Sequence, residues 1–353
     1  MLPAQGRIVP TGSVSTGAAS SIKFAAITTP GGDVAKKLEA AAKAAGVHWL
    51  GAHEDFDGFS DAELASIEVL AGHKLNGAKL GKAWSKLTSL KWFQVWSAGV
   101  EGIFGKGGPC PCPELPKSSV IMCNASGAYT DIIAEYVMAG VLFFDKELPR
   151  REASRKIGKW EKFPLPCCTG EQTFGVVGIG DIGSASAKLA KAFGMRVVAT
   201  RRRPEIPDPY VDQMYPMDQL KTMLAECDFV CMATPWTPAT DKMLKAEHFA
   251  AMKKTAVFIN VGRGKCVDEA ALLTALETDQ IKGAALDVTA SEPVEEGWRG
   301  WGTGMDGKML MSCHSCDHTE DMSMRSADYF IANLNRYVAG EPLHHVVDKA
   351  RGY

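Results

Sequence analysis

Short apolar runs separated by helix-spaced segments recur along the second half of the chain. FGVVG (174–178), MRVVAT (195–200), FVCMA (229–233), AVFINV (256–261), GAALDV (283–288) and MLMSC (309–313) read as strands. Residues 182–193, 217–225 and 268–276 carry the spacing of helices. Strands that are apolar throughout are buried on both faces, and their alternation with helices predicts a parallel sheet covered on both sides. Such a doubly wound sheet puts all strand C-termini, and the ligand crevice, on one edge.

The first half is less regular. IKFAAI (22–27) reads as a strand that ends at the Pro30-Gly31-Gly32 turn. Helical patterns cover 33–45 and 61–71, and 92–95 reads as a strand. A Pro-, Gly- and Cys-rich loop, KGGPCPCPELPKSS, precedes a long helix predicted over 131–148. The pattern predicts two Rossmann-like α/β domains with doubly wound parallel sheets and an active-site cleft between them. One domain takes residues 21–124 and 320–353, and the other takes 125–319. Crossings near Cys123 and Thr319 would act as hinges, with 1–20 as a flexible tail.

Composition narrows the classes. The 353 residues suffice for two cores, and 46% hydrophobic with 23% charged residues is ordinary for a soluble globular protein. A formal net charge of −2 gives no overall basic field, so neither nucleic acid nor membrane is an expected partner. The longest apolar run, 132–144, is interrupted by Glu135 and falls short of the roughly 18 residues that span a bilayer. The first twenty residues are small, polar and free of acids, with a single Arg and no apolar signal core. They read as a tail in a cytoplasmic protein, with organelle import as the competing reading. Ten cysteines without a secretory signal read as reduced thiols. CPC (110–112) and CHSC (313–316) lack the paired spacing of structural zinc sites, so no metal is expected.

Gly178-Ile-Gly180-Asp181-Ile182-Gly183 follows one strand and opens a helix within a βαβ unit. That context turns a weak glycine motif into a dinucleotide grip. Gly178 permits the tight turn and Gly180 lets backbone approach a pyrophosphate. Gly183 lets helix pack on strand, and the phosphates sit on the helix N-terminus. Where the second strand ends, an acid would bind the ribose 2′-hydroxyl of NAD. Arg201, Arg202 and Arg203 stand there instead, and guanidinium forks match a 2′-phosphate. NADP(H) is therefore preferred, with NAD(H) possible. A solvated basic loop before Pro204 is the competing reading.

Past three further strands lie Arg263, Glu292 and His314: a fixed cation, a carboxylate and an imidazole. Their order and spacing resemble those of the D-isomer-specific 2-hydroxyacid dehydrogenases. LKWFQVWSAGVE (90–101), NASGAYTDIIAEYVMA (124–139) and ATPWTPATDKML (233–244) carry the same likeness. MKKTAVFINVGRG (252–264) and LDVTASEP look most like the glyoxylate/hydroxypyruvate reductases. Arg263 can clamp a 2-oxo acid carboxylate and polarise its carbonyl. His314 can protonate the forming alkoxide, and Glu292 can fix the imidazole and raise its pKa.

The resemblance implies more. Main-chain N–H groups of Ala98, Gly99 and Val100 would form a second carboxylate cradle. Ala233, Thr234, Pro235, Val261 and Gly262 would line the cofactor, with Arg263 and His314 beside it, and Asp287 would contact the nicotinamide carboxamide. Trp96 would wall the substrate pocket. Trp160 would cross the interface of a homodimer built on the long helix from Asp131. His318, beside Asp317, is a second candidate base. Taken singly, each residue has a bland reading: Arg263 as a surface ion-pair partner, His314 as a loop histidine, Glu292 as a turn residue.

The chain also departs from the family pattern. Cys313 stands where proline usually precedes the histidine, Ser315-Cys316-Asp317 replaces small residues after it, and WRGWGTGMDGKM (298–309) replaces a leucine-containing loop. These changes border the substrate pocket. They leave open another D-2-hydroxyacid dehydrogenase acting on a bulkier oxo acid, or a catalytically silent cofactor sensor. The thiols of Cys313 and Cys316 predict sensitivity to oxidation.

Overall fold

The computed structural model describes residues 19–105 and 108–352, with the backbone alone at Thr303; residues 1–18 of the expected tail lie outside them. The chain divides into two compact units. One runs to Tyr129 and resumes at Thr319, and the other holds Thr130 to His318.

The first unit is built on five parallel strands: β1 (Lys23–Ile27), β2 (His48–His53), β3 (Val69–Gly72), β4 (Trp92–Val95) and β5 (Ile121–Cys123), in the order β2-β1-β3-β4-β5. The order reverses between β1 and β3. The C-terminal helix Met322–Val338 covers one face, because Ala327, Phe330, Leu334 and Tyr337 recur at helical spacing and are buried. Phe330 stacks on Trp92 at 4.9 Å and on Phe24 at 5.1 Å, and Tyr337 lies 5.4 Å from Trp92.

The second unit carries β6 (Thr173–Val177), β7 (Arg196–Thr200), β8 (Gln213–Tyr215), β9 (Phe229–Met232), β10 (Val257–Asn260), β11 (Gly283–Leu286) and β12 (Met309–Met311). All are parallel, in the order β12-β11-β10-β9-β6-β7-β8, so the reversal falls between β6 and β9. β9, β10 and β11 are buried at every position, which explains their unbroken apolar sequences.

Two helix expectations are corrected. The pattern over 61–71 is helical only for Asp61–Ser66, which Ser60 and Glu63 close with a reciprocal capping box. Val69–Gly72 is the buried strand β3 instead. A short apolar run fits either period, and pairing with β1 and β4 decides it. The helix expected over 131–148 ends at Asp145. Glu147 takes φ 52, and Pro149 sits in the first turn of a separate helix, Leu148–Lys156, where its missing N–H costs nothing.

No helix among the described residues is long and apolar enough to cross a membrane. Trp96 is a core residue of the first unit, 5% exposed. Its indole N–H donates to the Ser323 carbonyl at 3.1 Å and its ring stacks on Phe330.

Phe330 joins three aromatic rings and has no exposed surface. Phe330→Ala is expected to destabilise the first unit by about 3–5 kcal/mol, measured as the shift in a urea unfolding transition. A loss under about 1 kcal/mol would mean that the helix is not seated on the sheet as described.

Candidate active site

Arg263, Glu292 and His314 follow β10, β11 and β12, three neighbouring strands of one sheet. Parallel strands leave their C-termini on one edge, so adjacency in the sheet becomes adjacency of the loops.

The Arg263 turn is fixed from below. Buried Asn260 accepts from the Gly262 N–H at 3.1 Å and donates to the Arg263 carbonyl at 3.4 Å. The Arg263 guanidinium donates to the Gly262 carbonyl at 2.7 Å. In the next loop the Thr289 N–H donates to Glu292 Oε1 at 3.0 Å, and the Thr289 hydroxyl to the Ser291 carbonyl at 2.8 Å. Glu292 Oε2 then meets His314 Nδ1 at 2.6 Å.

The His314 loop is unusual. Cys313 and His314 both lie in the left-handed region, at φ 51 and φ 54. Such non-glycine residues cost about 1–3 kcal/mol each and persist only where surroundings over-determine them. Here the surroundings include a buried carboxylate. Asp287 Oδ1 accepts from the Ser312 hydroxyl at 2.6 Å and from the N–H groups of Ser315 and Cys316 at 3.0 and 3.1 Å. The Asp287 carbonyl also accepts from the His314 N–H at 2.6 Å. A proline ring cannot take φ 51, so the cysteine at 313 goes with this loop path.

The electrostatics follow from these contacts. The hydrogen bond to Glu292 holds the His314 imidazole above its ordinary value against partial burial, and the charges of Glu292 and Asp287 add to it. Burial pushes the Glu292 carboxyl up, but His314, the Thr289 N–H and the positive charge of Arg263 outweigh it and hold it below the usual range. Arg263 is close enough that its charge acts on both partners, lowering the pKa of each. His318 approaches Asp317 at 3.8 Å, a looser pair than His314 with Glu292. Burial raises the Cys316 thiol far above the ordinary value, which disfavours the reactive thiolate there.

The glycine turn also fits a dinucleotide. Gly178 has φ 100, and a Cβ there would fall 2.7 Å from the Thr234 side chain. A Cβ on Gly183 would lie 2.3 Å from the Gly178 carbonyl oxygen, so glycine is required for the helix Asp181–Ala192 to pack on β6. Gly180 differs, because a Cβ there would meet nothing within 4 Å. Packing within the chain does not require that glycine, and its place at the N-terminus of the helix leaves backbone open to a ligand. Thr234 follows β9 at the point of strand reversal, and its buried hydroxyl has no hydrogen-bond partner among the described residues. Ala233 and Pro235 flank it, and a Cβ on Gly262 would lie 2.7 Å from the Thr234 carbonyl oxygen. Val261, beside Gly262, is buried.

The arginine run begins at the end of β7, where the Thr200 carbonyl accepts from the Gly178 N–H at 2.9 Å. Arg201 is half-buried and donates to the Ile206 carbonyl at 3.2 Å, while Arg202 and Arg203 are exposed. In the first unit, the Ala98-Gly99-Val100 turn follows β4, with Asn124 donating to the Ala98 carbonyl at 2.7 Å. Sequence reasoning did not find the hold of Asp287 on the histidine loop. A buried acid directly after a strand was the available signal.

Fold and site define a dinucleotide-binding α/β protein with a carboxylate–imidazole pair beside a guanidinium. Residues 138–311 match the family model described as D-isomer specific 2-hydroxyacid dehydrogenase, NAD binding domain. A glycerate dehydrogenase of Methylorubrum extorquens is 32% identical over 231 residues, covering 63% of this chain and 70% of the relative. Glyoxylate/hydroxypyruvate reductase B of Citrobacter koseri is 37% identical over 187 residues, 51% of this chain and 57% of the relative. The match to D-3-phosphoglycerate dehydrogenase of Synechocystis spans 33% of that protein's length. A crystal structure of a D-isomer specific 2-hydroxyacid dehydrogenase from Xanthobacter autotrophicus, in complex with NADPH and MES, superposes with TM-score 0.77 at 26% identity, over 94% of this chain and 99% of that one. The chain belongs to the D-isomer specific 2-hydroxyacid dehydrogenase family.

Proposed function

We propose that this protein reduces a small 2-oxo acid, glyoxylate or hydroxypyruvate by preference, to the D-2-hydroxy acid with NADPH. The observation that carries the reading is the Glu292–His314 bond beside Arg263, at the ends of three adjacent strands. NADPH, when bound, supplies the hydride. The residues of the glycine turn and the buried Thr234 hydroxyl would hold its dinucleotide, and Arg201, Arg202 and Arg203 its 2′-phosphate.

The chain's own groups handle the substrate. Arg263 binds the carboxylate and draws charge towards the carbonyl oxygen. With Nδ1 committed to Glu292, His314 Nε2 is the nitrogen that delivers a proton to that oxygen. Because Glu292 raises the imidazole pKa, His314 stays protonated further into the neutral range, as reduction requires. Asp287 keeps the imidazole on station and would meet the nicotinamide carboxamide. A homodimer belongs to the same reading, supported by Trp160 at 89% and Ile157 at 76% exposure just past the helix Leu148–Lys156; a cytoplasmic location is part of the proposal.

The test is NADPH and NADH oxidation across a panel of 2-oxo acids. Glyoxylate and hydroxypyruvate with NADPH are expected to lead. Replacing Arg201 and Arg202 together by serine should raise the NADPH Michaelis constant about tenfold or more and leave that of NADH nearly unchanged. A wide margin for NADH, or an unmoved NADPH constant, would contradict the cofactor assignment.

His314→Ala should lower kcat for reduction by about 10²–10⁴ while NADPH still binds. Wild-type turnover in that variant would remove the proposed mechanism.

A further inference from the structure

We propose that Glu269 is a positioning residue for the proton-transfer step, tying the tryptophan loop at 298–301 to the turn that carries Glu292. The inference rests on the reaction proposed above. Glu269 opens the helix Glu269–Glu277, which Asp268 caps through the Ala271 N–H at 3.3 Å. Its two carboxylate oxygens serve different partners. Oε2 accepts from the Ala290 N–H at 2.7 Å, and Oε1 accepts from the Trp298 indole N–H at 2.8 Å.

Ala290 lies two residues before Glu292, inside the turn closed by Thr289, Ser291 and Glu292 themselves. That turn is pinned twice. Gly264 packs against it so tightly that a Cβ there would come within 1.9 Å of Thr289 backbone. Glu269 supplies the second pin, a charge-assisted bond to main chain, stronger than a neutral one. Moving Ala290 would therefore move the carboxylate that sets the imidazole.

Trp298 fixes the carboxylate in turn. Its ring lies against Gly300, where a Cβ would fall 2.0 Å from the indole, and meets Trp301 edge-on at 5.4 Å between centroids. It also packs on the core of the second unit. The loop supplies an indole N–H that holds one oxygen of Glu269, leaving the other aimed at Ala290. The chain of contacts runs from Trp298 through Glu269 and Ala290 to Glu292 and His314.

The test compares Glu269→Gln and Trp298→Phe with the wild-type enzyme and His314→Ala, reading thermal midpoint, Michaelis constants and the pH profile of reduction. Gln places an N–H₂ against one of the two N–H donors, and Phe keeps the ring while removing the indole donor. For Glu269→Gln, kcat is expected to fall about tenfold with the 2-oxo acid Michaelis constant within about twofold. The alkaline limb should move to lower pH by about half a unit, because a displaced Glu292 raises the imidazole pKa less. Trp298→Phe should move the same limb in the same direction, by less. A purely structural role would lower the thermal midpoint and leave the limb in place.

Folded variants with pH profiles superimposable on wild type overturn the inference. If Glu269→Gln does not fold, Trp298→Phe decides it alone. Full activity in His314→Ala overturns both the proposed reaction and this inference, whereas an inactive His314→Ala with unmoved limbs in the other two overturns this inference only.

Discussion

The short bond between Glu292 and His314 is the constraint on which the rest of the site depends. A histidine is a more available acid at neutral pH when something favours its charged form. In this protein the carboxylate does so at 2.6 Å, in a setting only half removed from water. Arg263 opposes it, because its positive charge disfavours a protonated imidazole. The two effects differ in reach. A direct hydrogen bond outweighs a like charge that acts through space, and the imidazole ends above its ordinary value. The arrangement lets one fixed cation and one readily protonated imidazole share a small site.

Holding that bond takes much of the surrounding structure. Three parallel strands bring the three loops together, and each loop is then locked by main-chain hydrogen bonds from a buried or half-buried polar side chain: Asn260, Glu269 and Asp287. The histidine loop carries the greatest conformational cost, with two successive residues in the left-handed region. It is also the loop with the most anchors. The match between cost and anchoring is what keeps the imidazole at a defined position in a turn that the chain would not otherwise adopt.

Much of this was legible in the residues. The unbroken apolar runs of β9, β10 and β11 announced a doubly covered parallel sheet, and the resulting edge predicted where Arg263, Glu292 and His314 would lie. The glycine turn could be read because each glycine answers a different steric demand. The strand β3 was hidden because a four-residue buried run fits helix and strand equally well, and only its neighbours in the sheet choose. Asp145, Lys146 and Pro149 bracket the break after Asp145, but its exact place was hidden because Pro149 fits the first turn of a new helix as well as the end of an old one, and the positive φ of Glu147 is a property of the folded chain. The anchoring carboxylates were hidden for a related reason. The main-chain N–H groups they hold, Ala290 for Glu269 and Ser315 and Cys316 for Asp287, leave no trace in side-chain sequence, so Glu269 reads as an ordinary helix start and Asp287, read as a nicotinamide contact, gives no sign of its hold on the histidine loop.

The most direct test of the central claim is the titration of the His314 imidazole itself, followed by NMR in the wild-type protein and in Glu292→Gln. The account predicts a wild-type pKa above the ordinary histidine value and a fall towards or below that value in the variant. An imidazole that titrates at or below the ordinary value in the wild type, unmoved when Glu292 loses its charge, would contradict it.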